Sequence, residues 1–153
     1  MIEIEVNTSI KKNINLVFEA LRNLPHLLVL MPDVKELNIV EIKKNEVIIL
    51  LGVMIENVIV RWKEKFIFNR KNREIFSSSL SGDIKTYTTH WKLISSNGET
   101  KINIKVQIEI GLPSFEKYLE KVLKKKTRKS LWGMVRLIRK YIEEDKWQKH
   151  SLV

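Results

Sequence analysis

The chain has 153 residues, of which 44% are hydrophobic, so it is long enough to close a core of its own and is expected to form one domain over 1–153. It contains no cysteine, which excludes disulfides, thiolate metal sites and a cysteine nucleophile. Its 28 basic and 18 acidic residues give a net charge of +10, which either attracts an anionic partner or simply solvates the surface.

Met1 leads directly into alternation of Ile2, Ile4 and Val6 with Glu3, Glu5 and Asn7, the pattern of a half-buried strand. No secretory leader is visible there, and the longest apolar run, Val47–Ile55, is too short to span a bilayer, so the expected compartment is the cytoplasm. From Asn13, a plausible cap, the period changes: Ile14, Val17, Phe18 and Leu21 predict a short helix that Leu24-Pro25 breaks. Leu27–Leu30 reads as a second short helix, ended by Met31-Pro32-Asp33.

Six strands follow, joined by short turns: Val34–Ile42, Val47–Ile55, Val58–Phe68, Glu74–Leu80, Ile84–Ile94 and Thr100–Ile110. Asn97-Gly98 is the strongest hairpin signal. Short turns between successive strands imply an antiparallel meander. Val47–Ile55 is apolar on both faces, so a cover over its outer face is expected, or an edge or face that could pair with another subunit. The last quarter, from Pro113 to about Lys149, is one long amphipathic helix. Its stripe runs through Phe115, Leu119, Val122 and Leu123, then Leu131, Met134, Val135, Ile138, Tyr141 and Ile142. Lys126, Thr127 and Ser130 interrupt that stripe, and a gap there would roof a pocket.

Side chains opposite each other across a hairpin share a face of the sheet. The Asn97-Gly98 turn puts Trp91 opposite Ile104 and Thr89 opposite Val106. The 81–83 turn puts Tyr87 opposite Ser77 and Thr89 opposite Ile75. Carried across the sheet, this gives one concave face with Ile49, Leu51, Trp62, Glu64, Phe66, Ile75, Ser77, Ser79, Tyr87, Thr89, Trp91, Ile104 and Val106. Five of these are polar. Left unpaired in a solid core, each would cost roughly 1–3 kcal/mol. They therefore border a partly hydrated cavity, or bond one another in a closed core.

This order of elements resembles the helix-grip fold of the START-like superfamily, an α+β architecture. Val17-Phe18-Glu19-Ala20-Leu21 through Met31-Pro32-Asp33-Val34 carries the resemblance, with Trp62–Phe66 and its following turn, and Gly82–Lys85 through His90–Leu93 to Asn97–Ile102. His90 stands where the family pattern usually has glycine. The nearest branch is the polyketide cyclase/dehydrase and coenzyme Q-binding type. The resemblance implies a curved sheet of about seven strands around the long C-terminal helix, with two short helices after the first strand. It implies a small hydrophobic ligand (a lipid, quinone or polyketide) between sheet and helix. Some relatives are cyclases and some bacterial ones act on ribosomes.

The candidate ligand-binding residues are Leu51, Trp62, Glu64, Phe66, Ile75, Ser77, Ser79, Tyr87, Thr89, Trp91, Ile104, Lys126, Thr127 and Ser130. An inward Glu64 between Trp62 and Phe66 should have a raised pKa, suiting acid or base chemistry with Tyr87. The competing readings are a buried, hydrogen-bonded glutamate, or one turned to solvent by a bulge. Lys126 is expected to point at the cavity and meet a ligand carboxylate or Glu64. Nothing in the sequence places His26, His90 and His150 together with carboxylates at ligand spacing, so no metal or cofactor is expected. The expectation is a binding protein, with a cyclase or dehydratase as the alternative. Lys121, Lys124, Lys125, Arg128 and Lys129 give the helix a basic back that could hold a membrane, a ribosome or RNA without sequence specificity. Oligomeric state is not legible.

Overall fold

The computed structural model describes residues 1–111 and 120–144 in full, and the backbone of 113–119. Strands β1 (Ile2–Ile10), β2 (Val34–Lys43), β3 (Glu46–Ile55), β4 (Val58–Asn69), β5 (Glu74–Gly82), β6 (Thr86–Ser96) and β7 (Glu99–Glu109) form one antiparallel sheet, in the order β1-β7-β6-β5-β4-β3-β2. Helices α1 (Ile14–Leu21) and α2 (Leu24–Leu27) follow β1, and α3 (Pro113–Glu143) closes the concave side. This is a helix-grip α+β fold.

Local chemistry accounts for the elements. The Asn13 side chain accepts the Leu16 N–H at 3.0 Å and so caps α1. Pro25 does not simply break the chain. It sits in the first turn of α2, where no N–H is needed, and a 3₁₀ turn at Leu28–Leu30 follows. Asn97 and Gly98 both take positive φ, which fits the two-residue hairpin between β6 and β7. Extra residues bulge at Lys35 and Val40 of β2 and at Leu80 of β5, where the registers shift. Bulges raise local twist and bend the strand, which curls the sheet.

The registers place Trp91 opposite Ile104 and Thr89 opposite Val106, as the hairpin predicts. Between β5 and β6 the register differs from expectation by two residues: Ser77 faces Thr89, and Ile75 faces Trp91. The parity survives, but the physical picture changes. Residues 83–85 are not a tight turn. Pairing of β5 with β6 stops at Ser78–Thr88, and beyond it Ser79 to Gly82 stay with β4 while Thr86 and Tyr87 stay with β7. The sheet parts there.

The C-terminal half of α3 buries Leu131, Val135, Ile138, Tyr141 and Ile142, each contributing roughly 1.5–3 kcal/mol by leaving water. It packs against β1, where Arg139 donates to Thr8 and the Lys11 N–H donates to Glu143 at 2.9 Å. Val17, Phe18 and Leu21 of α1 complete this end of the core. Leu123 is buried in the other half of α3, while Val122 is 39% exposed; the side chains of Phe115 and Leu119 lie outside the described residues, as does His150.

Two expectations about β3 fail. Its outer face carries no cover among the described residues, since Leu50 is 43% exposed. Nor is it an edge, because β2 pairs along it; the free edges belong to β1 and β2.

Candidate functional site

A cavity of about 420 Å³ lies between the sheet and the N-terminal half of α3. Its position follows from two local absences. On α3 the apolar stripe lapses between Leu123 and Leu131, and Lys126, Thr127 and Ser130 take its place on the wall. On the sheet, β5 and β6 part, so Asp83, Ile84 and Tyr87 border the space. Leu51, Trp62, Val106 and Ile108 form its buried floor, and Met31 and Val34 close a third side.

Polar groups gather at the rim. Asp33, Glu56, Asp83 and Lys126 line the cavity and are exposed. Lys126 does not meet Glu64. Its Nζ pairs with Glu56 Oε1 at 3.1 Å, because α3 runs past the β3–β4 turn and puts the lysine at the lip. Ser130 Oγ donates to Asp33 Oδ2 at 3.4 Å across the opposite lip. Asp83 Oδ2 accepts the Arg61 backbone N–H at 2.9 Å, which anchors the 83–85 connection to β4.

Of the fourteen candidate residues, Leu51, Trp62, Tyr87, Lys126, Thr127 and Ser130 stand on the cavity wall. Glu64, Phe66, Ile75, Ser77, Ser79, Thr89, Trp91 and Ile104 do not; they point inward but stand further along the sheet. Their polar members bond one another. Trp62 Nε1 donates to Glu64 Oε1 at 2.8 Å, Ser77 also donates to that carboxyl, and Ser77 Oγ lies 2.5 Å from Thr89 Oγ1. Ser79 Oγ accepts the Tyr87 N–H at 3.0 Å. The closed, mutually bonded row is therefore the arrangement these groups adopt, and the open volume lies beside it.

Glu64 is 2% exposed. The β5 bulge at Leu80 absorbs the register shift, so Glu64 keeps its inward parity instead of turning to solvent. Burial pushes its carboxyl up to about 7, against the opposing pull of the Trp62 and Ser77 hydrogen bonds. Burial, and then the neighbouring Glu64 charge, push the Tyr87 hydroxyl well above its ordinary value. The rings of Trp62 and Tyr87 lie 5.3 Å apart, and the Tyr87 hydroxyl bonds to no described group. Among the described residues no three metal-ligating side chains meet. No described helix is long and apolar enough to cross a membrane.

Sequence reasoning missed Asp33, Glu56, Asp83 and Ile84 as lining residues. It had assigned the three carboxylates to turns or helix ends, where the parity signal that found Leu51 and Trp62 does not extend, and had made Ile84 the first residue of a strand.

Solved structures share this architecture. The TTHA0849 protein of Thermus thermophilus superposes with a TM-score of 0.82 at 18% identity, covering 92% of this chain and 96% of that one. The Zhui aromatase/cyclase of a Streptomyces species gives 0.78 at 12% identity, covering 92% and 93%. A START superfamily protein of Mycobacterium smegmatis gives 0.72 at 12% identity, covering 93% and 97%. At these identities the likeness defines the fold: START-like, helix-grip. No protein-family model matches the sequence, and no curated protein matches it.

Proposed function

We propose that the protein binds a small hydrophobic ligand, of lipid, quinone or polyketide character, in the cavity under α3. The carrying observation is the wall itself: Leu51, Val53, Val60, Ile84, Val106, Ile108 and Leu131 surround the space, and the charged lining stands at the rim. A largely preformed apolar cleft with few polar groups is the usual form of a small-molecule site. Aromatase/cyclases and a START superfamily protein use the same frame. The test is fluorescence of N-phenyl-1-naphthylamine, a neutral apolar probe, with native mass spectrometry of gently purified protein. Saturable enhancement and a co-purified small molecule are expected. No enhancement, together with a bare mass, would refute the reading.

A second reading has its own observation. Tyr87 faces the cavity with a hydroxyl that bonds to no described group, and Glu64 lies electrostatically close behind it. That pair could move a proton in a cyclisation or dehydration, with Tyr87 as the group that touches substrate. Turnover of a polyketide-like ketone, lost in Tyr87→Phe with binding retained, would support it; equal turnover by the variant would sink it.

Apart from the cavity, Lys121, Lys124, Lys125, Arg128 and Lys129 are all exposed on α3. We propose this back as a contact for phosphate-rich partners: ribosome, RNA or anionic membrane. Such binding weakens steeply with salt through counterion release. Failure to co-sediment with ribosomes or anionic vesicles at low salt would remove it.

A further inference from the structure

The charge of the protein and the charge of its cavity have opposite signs. The chain carries +10, yet among the described residues the charged side chains lining the cavity are Asp33, Glu56 and Asp83 against Lys126. That lysine is held by Glu56 at 3.1 Å. The Arg61 guanidinium, outside the lining, is bonded to Glu36: its Nε and a terminal nitrogen each donate there at 2.8 Å. Among the described residues Asp33 receives only a long bond from Ser130, and Asp83 accepts a backbone N–H and shares the field of the Arg61 guanidinium. At the inner end Trp62 cannot offer its N–H, which already binds Glu64. On the sheet side the Tyr87 hydroxyl is left without a partner among the described residues, as is the Thr127 hydroxyl on the helix side.

We propose that the cavity selects neutral or cationic amphiphiles and rejects anionic ones, with Asp33 and Asp83 setting the preference at the rim and Tyr87 receiving a carbonyl or hydroxyl at the buried end. This rests on the ligand-binding reading above and specifies its ligand class. An anionic head left at the rim faces two carboxylates with no unpaired cation among the described lining residues, or must break the Lys126–Glu56 pair. An anionic head sent inward meets apolar walls with Glu64 behind them. A cationic head at the rim gains from the same carboxylates, and a neutral one loses nothing. The outer lysines on α3 act in the other direction, drawing anions to the surface. Surface attraction and cavity selection therefore predict opposite orders, and salt separates them, since exposed contacts are screened.

The experiment displaces N-phenyl-1-naphthylamine with three twelve-carbon amphiphiles that differ only in head group: dodecanol, dodecylammonium and dodecanoate. Each is kept below its aggregation threshold, in physiological salt. Dodecylammonium should displace the probe at the lowest concentration and dodecanol next, with dodecanoate about tenfold weaker than dodecanol, a gap of about 1.4 kcal/mol that a single unfavourable charge contact at a rim can supply. In the double variant Asp33→Asn, Asp83→Asn, dodecanoate should recover at least threefold while dodecanol is unchanged. Asparagine at 83 keeps an acceptor for the Arg61 N–H, and Asp33 is exposed, so the variant retains the fold's bonds. Dodecanoate displacing as well as dodecanol would overturn the selectivity and leave the ligand-binding reading standing. A gap that persists in the double variant would overturn its assignment to these carboxylates. A probe that does not bind would overturn both readings.

Discussion

Replacing Glu64 by glutamine should remove a pH dependence from the stability of the fold. The folded carboxyl titrates at about 7 against an ordinary value of 4.5. At about 1.4 kcal/mol per unit, holding it ionised in the native state costs ~3 kcal/mol relative to the unfolded chain. Its pKa is raised, so between those two values the native state binds more protons than the unfolded state. Stability is then full below about 4.5, falls as pH rises, and is lowest above about 7. A glutamine side chain there would accept from Trp62 Nε1 and donate to Ser77 Oγ, keeping both local bonds with no charge to desolvate. Urea unfolding of the two proteins, followed from about pH 4.5 to about pH 8.5, reads the difference. With a slope of roughly 1–3 kcal/mol/M, the wild-type midpoint should fall by ~1–3 M relative to Glu64→Gln across that range. His26, whose pKa burial lowers, is present in both proteins and cancels in the comparison. Parallel midpoint curves would refute the account of Glu64 as a desolvated carboxyl.

Thr127→Phe places a ring in the cavity beneath α3, so N-phenyl-1-naphthylamine affinity should fall at least tenfold with far-ultraviolet circular dichroism unchanged; retained binding would move the site elsewhere. Ile138→Ala opens a void in the fully buried C-terminal clamp and should cost ~2–5 kcal/mol in denaturant unfolding, while probe binding per folded molecule stays within about twofold. Gly82→Ala should be severe. Gly82 has φ +129°, and a Cβ there would lie 2.5 Å from both the Arg61 carbonyl oxygen and Trp62 Cα, so a loss above ~2 kcal/mol is expected in thermal or urea unfolding.

The sequence carried most of the fold because its signals are periodic and local. Alternation in Ile102, Ile104, Val106 and Ile108 marks β7, and Asn97-Gly98 fixes its pairing with β6 through backbone geometry alone. The segment around Asp83 was not legible for the converse reason. Whether β5 continues with β4 or with β6 depends on tertiary packing. The close passage of Gly82 over Trp62, which lets β5 stay with β4, leaves no alternation to read. The same ambiguity limited the site. Parity gives the face a residue points to, which placed Leu51, Trp62 and Tyr87 correctly inward together with Glu64 and Ser77. It does not give the depth along the sheet at which packing ends. Glu64 and Ser77 lie where neighbouring side chains close over them, while Leu51 and Trp62 border open space. The rim carboxylates sit in turns, where no period exists to find them.

Energetics bears on what the space is for. In well-packed cores, an unfilled cavity costs about 24 cal/mol per Å³. A volume of about 420 Å³ would then cost ~10 kcal/mol, close to the whole stability of a domain this size. The fold does not sustain that as a void, so its contents are solvent or ligand. Water there finds few partners: the Tyr87 hydroxyl inside, and the rim groups outside. A simpler sequence would remove the problem, because leucines at Lys126, Thr127 and Ser130 would continue the α3 stripe from Leu123 to Leu131 and let the helix settle onto the sheet. The chain instead puts a lysine, a threonine and a serine there, and ties two of them across the lips to Glu56 and Asp33. Those ties hold α3 over the opening without filling it. The clamp at Leu131–Ile142 supplies the stability, and the gap above it keeps a volume that an apolar ligand would occupy at less cost than water.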